Sequence, residues 1–180
     1  SDEGIDLADI DGDGLLDLVA GNSEKYLAWW KNPGNGRDNW TRRIVGTTAP
    51  HPVDRVRARD LNGDGRVDIA VAEERFPGKE PDGNLFWFEQ PADPTTDNWP
   101  RHRIITTWSL NNLDAADVDR DGDIDLVTCE HKGPDKKLYL FENNGHGSFT
   151  EHVLDRCGVS ARDRSGSARG YIYGSSNRCT

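Results

Sequence analysis

Hydrophobic positions along this chain fall in short runs that never sustain a helical period. Leu18-Val19-Ala20, Ile69-Ala70-Val71 and Leu126-Val127-Thr128 are apolar runs bounded by Gly, Asn, Asp and Pro, which is the punctuation of strands and turns. Each is followed by an aromatic-rich segment: Trp29-Trp30-Lys31-Asn32, then Trp87-Phe88-Glu89-Gln90, then Leu140-Phe141-Glu142-Asn143. After a turn-rich stretch, Trp40, Trp99 and Phe149 open a further strand, which runs to Ile44-Val45, Ile104-Ile105 and Val153-Leu154. The same order recurs three times, so the chain is an internal repeat of about 50 residues with about four short strands per unit.

That repeat length predicts an all-β fold, a partial β-propeller of about three four-stranded antiparallel blades. Solenoid β-repeats are usually shorter. The blades are expected at about 1–50, 51–107 and 108–156, and residues 157–180 are expected to form an irregular tail. The tail is rich in Arg, Gly and Ser and carries no further Asp cluster. Three blades do not close a ring, since propellers typically have about four to eight. The chain is therefore expected to belong to a longer protein with further blades, or to close with a second copy.

Charge changes the picture through its placement. There are 22 Lys and Arg against 32 Asp and Glu, a net charge of −10. This excludes the basic surface that nucleic acid requires. No segment is long and apolar enough to cross a membrane, so no membrane insertion is expected. Cys129, Cys157 and Cys179 make no CxxC pair, which argues against a cysteine zinc site. Cys157 and Cys179 can pair in an oxidising compartment, but spacing alone does not show it.

Many of the acids fall in three clusters that precede the short apolar runs. They begin at Asp9, Asp60 and Asp117, 51 and 57 residues apart. Calcium takes about six to eight oxygens, and a loop with oxygen side chains at positions 1, 3, 5 and 9 and a backbone carbonyl at 7 can wrap one ion. The first cluster supplies Asp9, Asp11, Asp13, Leu15 (by its carbonyl) and Asp17. The second supplies Asp60, Asn62, Asp64, Arg66 (by its carbonyl) and Asp68, and the third Asp117, Asp119, Asp121, Asp123 (by its carbonyl) and Asp125. Gly14, Gly65 and Gly122 stand at position 6, where the loop turns sharply. Leu16, Val67 and Ile124 at position 8 are expected to pin the loop to the core. An EF-hand is excluded, because position 12 is Ala20, Val71 or Thr128 rather than Glu, and a strand follows. Magnesium fits less well, since it keeps more of its water. About three calcium ions per chain are predicted, in a structural role.

These D-x-D-G-D-G-x-x-D loops at blade-length spacing resemble FG-GAP or VCBS-type repeats, over about residues 2–155. Arg120 departs from the glycine that the first two loops carry at position 4. The resemblance implies a propeller like the heads of integrin α-subunits and many bacterial secreted proteins. With the calcium requirement, it also implies an extracellular or cell-surface location. Similar blades occur in rhamnogalacturonan lyases and in a fungal aldos-2-ulose-type dehydratase, which keeps an enzymatic alternative open.

Antiparallel strands place successive loops on alternate faces, so a partner is expected on the face opposite the Asp clusters. The residues predicted there are Asp2, Glu3, Asn22, His51, Asp54, Glu73, Glu74, Trp108, Asn111, Asn112, Glu130 and His131. Such a set suits a protein or glycan ligand, by stacking and hydrogen bonds, or a second metal. His51, Glu130 and His131 are the candidate metal or acid–base set of the enzymatic alternative. Trp30, Phe88 and Phe141 are expected to pack between blades.

Overall fold

The computed structural model describes residues 4–21, 25–75 and 78–156; Asp2, Glu3, Asn22 and the tail with Cys157 and Cys179 lie outside them. Twelve strands form three sheets, with no helix among the described residues. The first sheet holds β1 (Ile5–Ala8), β2 (Asp17–Gly21), β3 (Tyr26–Lys31) and β4 (Thr41–Thr47). The second holds β5 (Arg55–Arg59), β6 (Asp68–Ala72), β7 (Gly83–Phe88) and β8 (Arg101–Thr107). The third holds β9 (Leu110–Ala116), β10 (Asp125–Glu130), β11 (Lys137–Asn143) and β12 (Phe149–Arg156). Each is an antiparallel meander in chain order, as blades of a propeller are.

Period-2 alternation decides which side chain meets which sheet. On β2 and β3, Val19, Leu27 and Trp29 turn toward the second sheet and bury against Val56, Ala58, Ile69, Val71, Phe86 and Phe88. From the second sheet's other face, Ala70, Ala72, Leu85 and Trp87 pack on Leu113, Ala115, Leu126, Tyr139 and Phe141. Every residue of β6 is buried, because both faces of this middle strand are covered. Close packing sets residue size as well: a Cβ on Gly21 would lie 2.1 Å from Val53 Cβ.

The innermost strands are tied by polar contacts. Asp6 on β1 accepts the Ala58 N–H of β5 at 2.9 Å and pairs with Arg59 at 3.2 Å. Arg57 on β5 reaches Asp114 on β9 at 3.2 Å.

Phe88 and Phe141 sit between sheets as expected. Trp30 does not: it lies on the first sheet's uncovered face, half-buried under the Arg42 guanidinium, and Trp29 takes the core position. Leu16 departs for the same reason. Val67 and Ile124 pack partly against the cores, whereas Leu16 stays 55% exposed.

Polar clasps link the first two Asp loops to the next sheet. Gln90, at the end of the second sheet's aromatic segment, donates to Ile10 O of the first loop at 2.5 Å and accepts Val67 N–H at 2.6 Å. Asn143 repeats this one sheet on, donating to Leu61 O at 2.8 Å and Ile124 O at 2.9 Å. Gln90→Ala leaves a buried carbonyl and a part-buried N–H unpaired, so it is expected to cost about 2 kcal/mol. A thermal melt should fall by roughly 4–8 °C at this chain length.

Candidate metal centres

The three Asp loops share one hydrogen-bond scheme, built mostly from their own backbone N–H groups. The Asp at position 1 accepts the N–H of the position-6 glycine: Asp9 from Gly14 at 2.9 Å, Asp60 from Gly65 at 2.8 Å, Asp117 from Gly122 at 3.2 Å. Position 5 accepts the N–H of position 7, at 2.9 Å in all three loops. These glycines have φ of 87°, 82° and 102°, the left-handed region that position 6 was expected to need. Arg120 adopts φ 69° where Gly12 and Gly63 have 74°, so the loop shape survives the departure from glycine.

Position 9 anchors the loop to the sheet. Asp17, Asp68 and Asp125 are buried at the starts of β2, β6 and β10. One oxygen accepts the N–H of position 2 (Ile10 at 3.1 Å, Leu61 at 3.0 Å, Val118 at 2.9 Å). The other accepts the N–H of Asn32 at 2.8 Å, Gln90 at 2.8 Å or Asn143 at 2.9 Å. Burial pushes the Asp68 carboxyl up to about 7 and also raises that of Asp17.

Side chains then converge. Asp9, Asp11 and Asp17 each bring an oxygen within 4.8 Å of the others, and Asp117, Asp119 and Asp125 do the same. In the second loop Asn62 holds the position of a third carboxylate and accepts the Asp64 N–H at 3.1 Å. Asp9 Oδ1 and Asp11 Oδ1 are buried and accept no hydrogen bond. A buried carboxylate oxygen without a donor is costly, and a hard cation bound among oxygens answers it. The donor set is all oxygen, so these residues fit calcium. The positive groups at the loops differ. Lys31 pairs with both Asp11 and Asp13, Arg66 pairs with Asp64, and the third loop pairs with no Lys or Arg among the described residues.

The opposite face is only partly assembled as expected. Glu74, Asn111 and His131 come together from the second and third sheets. Asn111 Nδ2 donates to Glu74 at 3.2 Å and lies 3.4 Å from His131 Nδ1, and Lys132 stands 3.9 Å from Glu74. Asp54 joins through Arg55, which pairs with it at 3.1 Å and reaches Asn111 at 3.5 Å. A cleft of about 380 Å³ opens alongside, lined by Arg55, Arg57, Asn112, Asp114, Thr128 and Cys129 among others. His51 is elsewhere, bonded to Arg75, which also pairs with Asp82 at 2.8 Å. Burial and the Arg75 charge hold the His51 imidazole below its ordinary range. Trp108 stacks closely over Gly133, where a Cβ would meet its ring at 2.5 Å.

Glu73 and Glu130 are not on that face. Both are buried, at 1% and 2% exposure, because they continue the inward parity of Ile69 and Val71 and of Leu126 and Thr128. Glu73 accepts both the N–H and the Nδ2 of Asn84, at 3.1 and 2.6 Å. Glu130 accepts Thr107 and Tyr139 hydroxyls and the Lys137 N–H. Strand parity carried two residues further along the sequence puts Glu73 and Glu130 on the same side as Ile69 and Leu126, and the neighbouring sheet that covers that side buries them. Lys31 stands out in the sequence as the one lysine where the other repeats have Glu89 and Glu142.

Three consecutive four-stranded antiparallel sheets, each with an acidic loop between its first two strands, define a β-propeller-type repeat protein. An FG-GAP-like repeat model matches residues 9–71 and again 60–128, and the chain belongs to that family. No curated protein sequence matches the chain.

Proposed function

We propose that this chain is a calcium-binding, non-enzymatic scaffold module of a larger secreted or cell-surface protein, presenting its Glu74–Asn111–His131 face to a protein or glycan. The observation that carries the calcium reading is the pair of buried, unpartnered oxygens on Asp9 and Asp11, set in a loop whose design recurs twice. Asp9, Asp11, Asp13 and Asp17, with their counterparts in the other two loops, would hold the ion. Bound calcium supplies the positive charge that offsets the packed carboxylates and cross-links the turn between the first two strands of each sheet. Extracellular calcium suits such sites, since intracellular free calcium is generally too low to fill sites of moderate affinity.

The enzymatic alternative loses its constellation. Glu73 and Glu130 are occupied in the sheet interior, and the metal-competent clusters among the described residues include none of His51, Glu73, Glu130 and His131. The polar cluster and adjoining cleft instead support binding. Its mixed charges and amides offer hydrogen bonds to hydroxyls or a peptide backbone. The end sheets support assembly into a fuller ring, by further blades or by a second copy. Ile5 and Leu7 on the first sheet are 57% and 50% exposed, and Val127, Leu138 and Leu140 on the third are only partly buried.

The test is calorimetric titration of the metal-stripped chain with calcium. About three ions per chain at saturation are expected. A flat isotherm up to millimolar calcium would remove the metal assignment, and with it the extracellular inference.

A further inference from the structure

We propose that Lys31 is a built-in competitor for the cation of the first loop, so that the three loops take calcium unequally and the first fills last. This rests on the calcium reading above and adds an order of occupancy that the loop motif alone does not contain.

Lys31 is the last residue of β3. The pairing of β2 with β3, and the 2.8 Å bond from Asn32 N–H to Asp17, hold it directly beside the first loop. Its ammonium pairs with Asp11 Oδ2 and, at 2.7 Å, with Asp13 Oδ2, the acids at positions 3 and 5. A divalent ion entering this loop must take both acids from a resident charge. That charge then stays close, on a flexible stem.

The aligned positions of the other repeats carry the opposite sign and turn away from their loops. Glu89 Oε2 lies 2.8 Å from His102 Nε2, and Glu142 Oε2 lies 2.7 Å from His152 Nε2. In the second loop Arg66 pairs with Asp64, while its Nε donates to Gln90 O at 2.9 Å. The resident positive charge is thus shared by two acids in the first loop, rests on one in the second, and is absent from the third among the described residues. Lys31 does not replace the ion completely. It engages only the Oδ2 atoms, and Asp9 Oδ1 and Asp11 Oδ1 remain buried without a donor.

The consequence is a graded module. At limiting calcium, the second and third loops are cross-linked by the ion, while the first is held by an ammonium that can leave. The first sheet then stiffens only as calcium rises further.

The experiment compares calcium titrations of the stripped wild-type chain, Lys31→Gln and Glu142→Lys, with thermal melts in chelator and in calcium. Lys31 is 40% exposed on its side chain, so Lys31→Gln does not threaten the core. The wild type should show two tighter sites and one weaker. Lys31→Gln should tighten the weak site about tenfold, the effect of removing one charge near a surface ion. The same variant should lower the melt in chelator and enlarge the gain from calcium. Glu142→Lys, which moves the lysine to the third repeat, should weaken one tight site by a similar factor. Superimposable isotherms for wild type and Lys31→Gln overturn the role of Lys31 while leaving calcium binding intact. Absence of calcium binding in all three chains overturns the calcium reading itself, and this inference with it.

Discussion

Chelating calcium is expected to lower the melting temperature of the chain by roughly 10–20 °C at pH 8. A site held at about a hundred times its Kd contributes about 2.7 kcal/mol, so two tight loops contribute about 5 kcal/mol together. One kcal/mol shifts the melt by about 2–4 °C at this chain length. The effect should depend on pH in a specific direction. In the ion-free chain, burial raises the Asp68 carboxyl to about 7 and raises Asp17 as well, against about 4 in the unfolded chain. These groups bind protons more tightly folded than unfolded. Their contribution is therefore fully present below pH ~4 and is lost as pH rises, for Asp68 through about 7. The chelated chain should lose stability from pH 5 to pH 8. Calcium binding requires the ionised carboxylates, so the loaded chain gains over the same range. The gap between the two melts should widen toward pH 8, as circular-dichroism melts at pH 5, 6.5 and 8 would read directly. Coincident melts at pH 8 would show that the Asp loops are turns and nothing more.

Glu130→Ala should destabilise the chain by about 3 kcal/mol whether or not calcium is present, because it strips the acceptor from a dry polar cluster. Glu130 is 2% exposed between the second and third sheets. It accepts the Thr107 hydroxyl at 2.7 Å, the Tyr139 hydroxyl at 2.8 Å and the Lys137 N–H at 3.0 Å. Burial drives the Tyr139 phenol well above its ordinary range, and the adjacent Glu130 carboxylate adds to the shift, so the phenol stays a donor. In the variant, Thr107 and Tyr139 can still meet each other across 3.1 Å, which limits the loss, but the Lys137 N–H has no replacement. A melt lower by roughly 6–12 °C is expected. Calcium stoichiometry should not change, because Glu130 closes the turn between β10 and β11, at the end of β10 away from the Asp loop. An unchanged melt with altered metal binding would return Glu130 to the ligand face.

Both expectations show where local pattern suffices and where it does not. The repeat, the strand-and-turn order and the shape of the Asp loops were legible because each is set within a few residues. An Asp carboxylate accepting an N–H two to five residues on, with glycine at φ above 80° to close the turn, needs no help from the rest of the chain. The apolar runs were legible for the same reason, since alternation along one strand already divides it into two faces.

What covers each face was not legible. Glu73 and Glu130 read as turn acids because they follow apolar runs. They are interior residues because a neighbouring sheet packs over the face they share with Ile69 and Leu126. Trp29 and Trp30 are adjacent and chemically alike, yet only Trp29 is enclosed, since only its side of the sheet has a partner among the described residues. Glu74, Asn111 and His131 meet because two sheets lie side by side, and Lys31 meets Asp11 through strand pairing across 20 residues. Gln90 reaches Ile10 across 80 residues. The sequence alone determined the kind of element and the chemistry of each loop, through steric and hydrogen-bond preferences acting over short range. Only the tertiary structure decided which side chains are desolvated and which charges become neighbours, because both depend on surfaces brought together from distant parts of the chain.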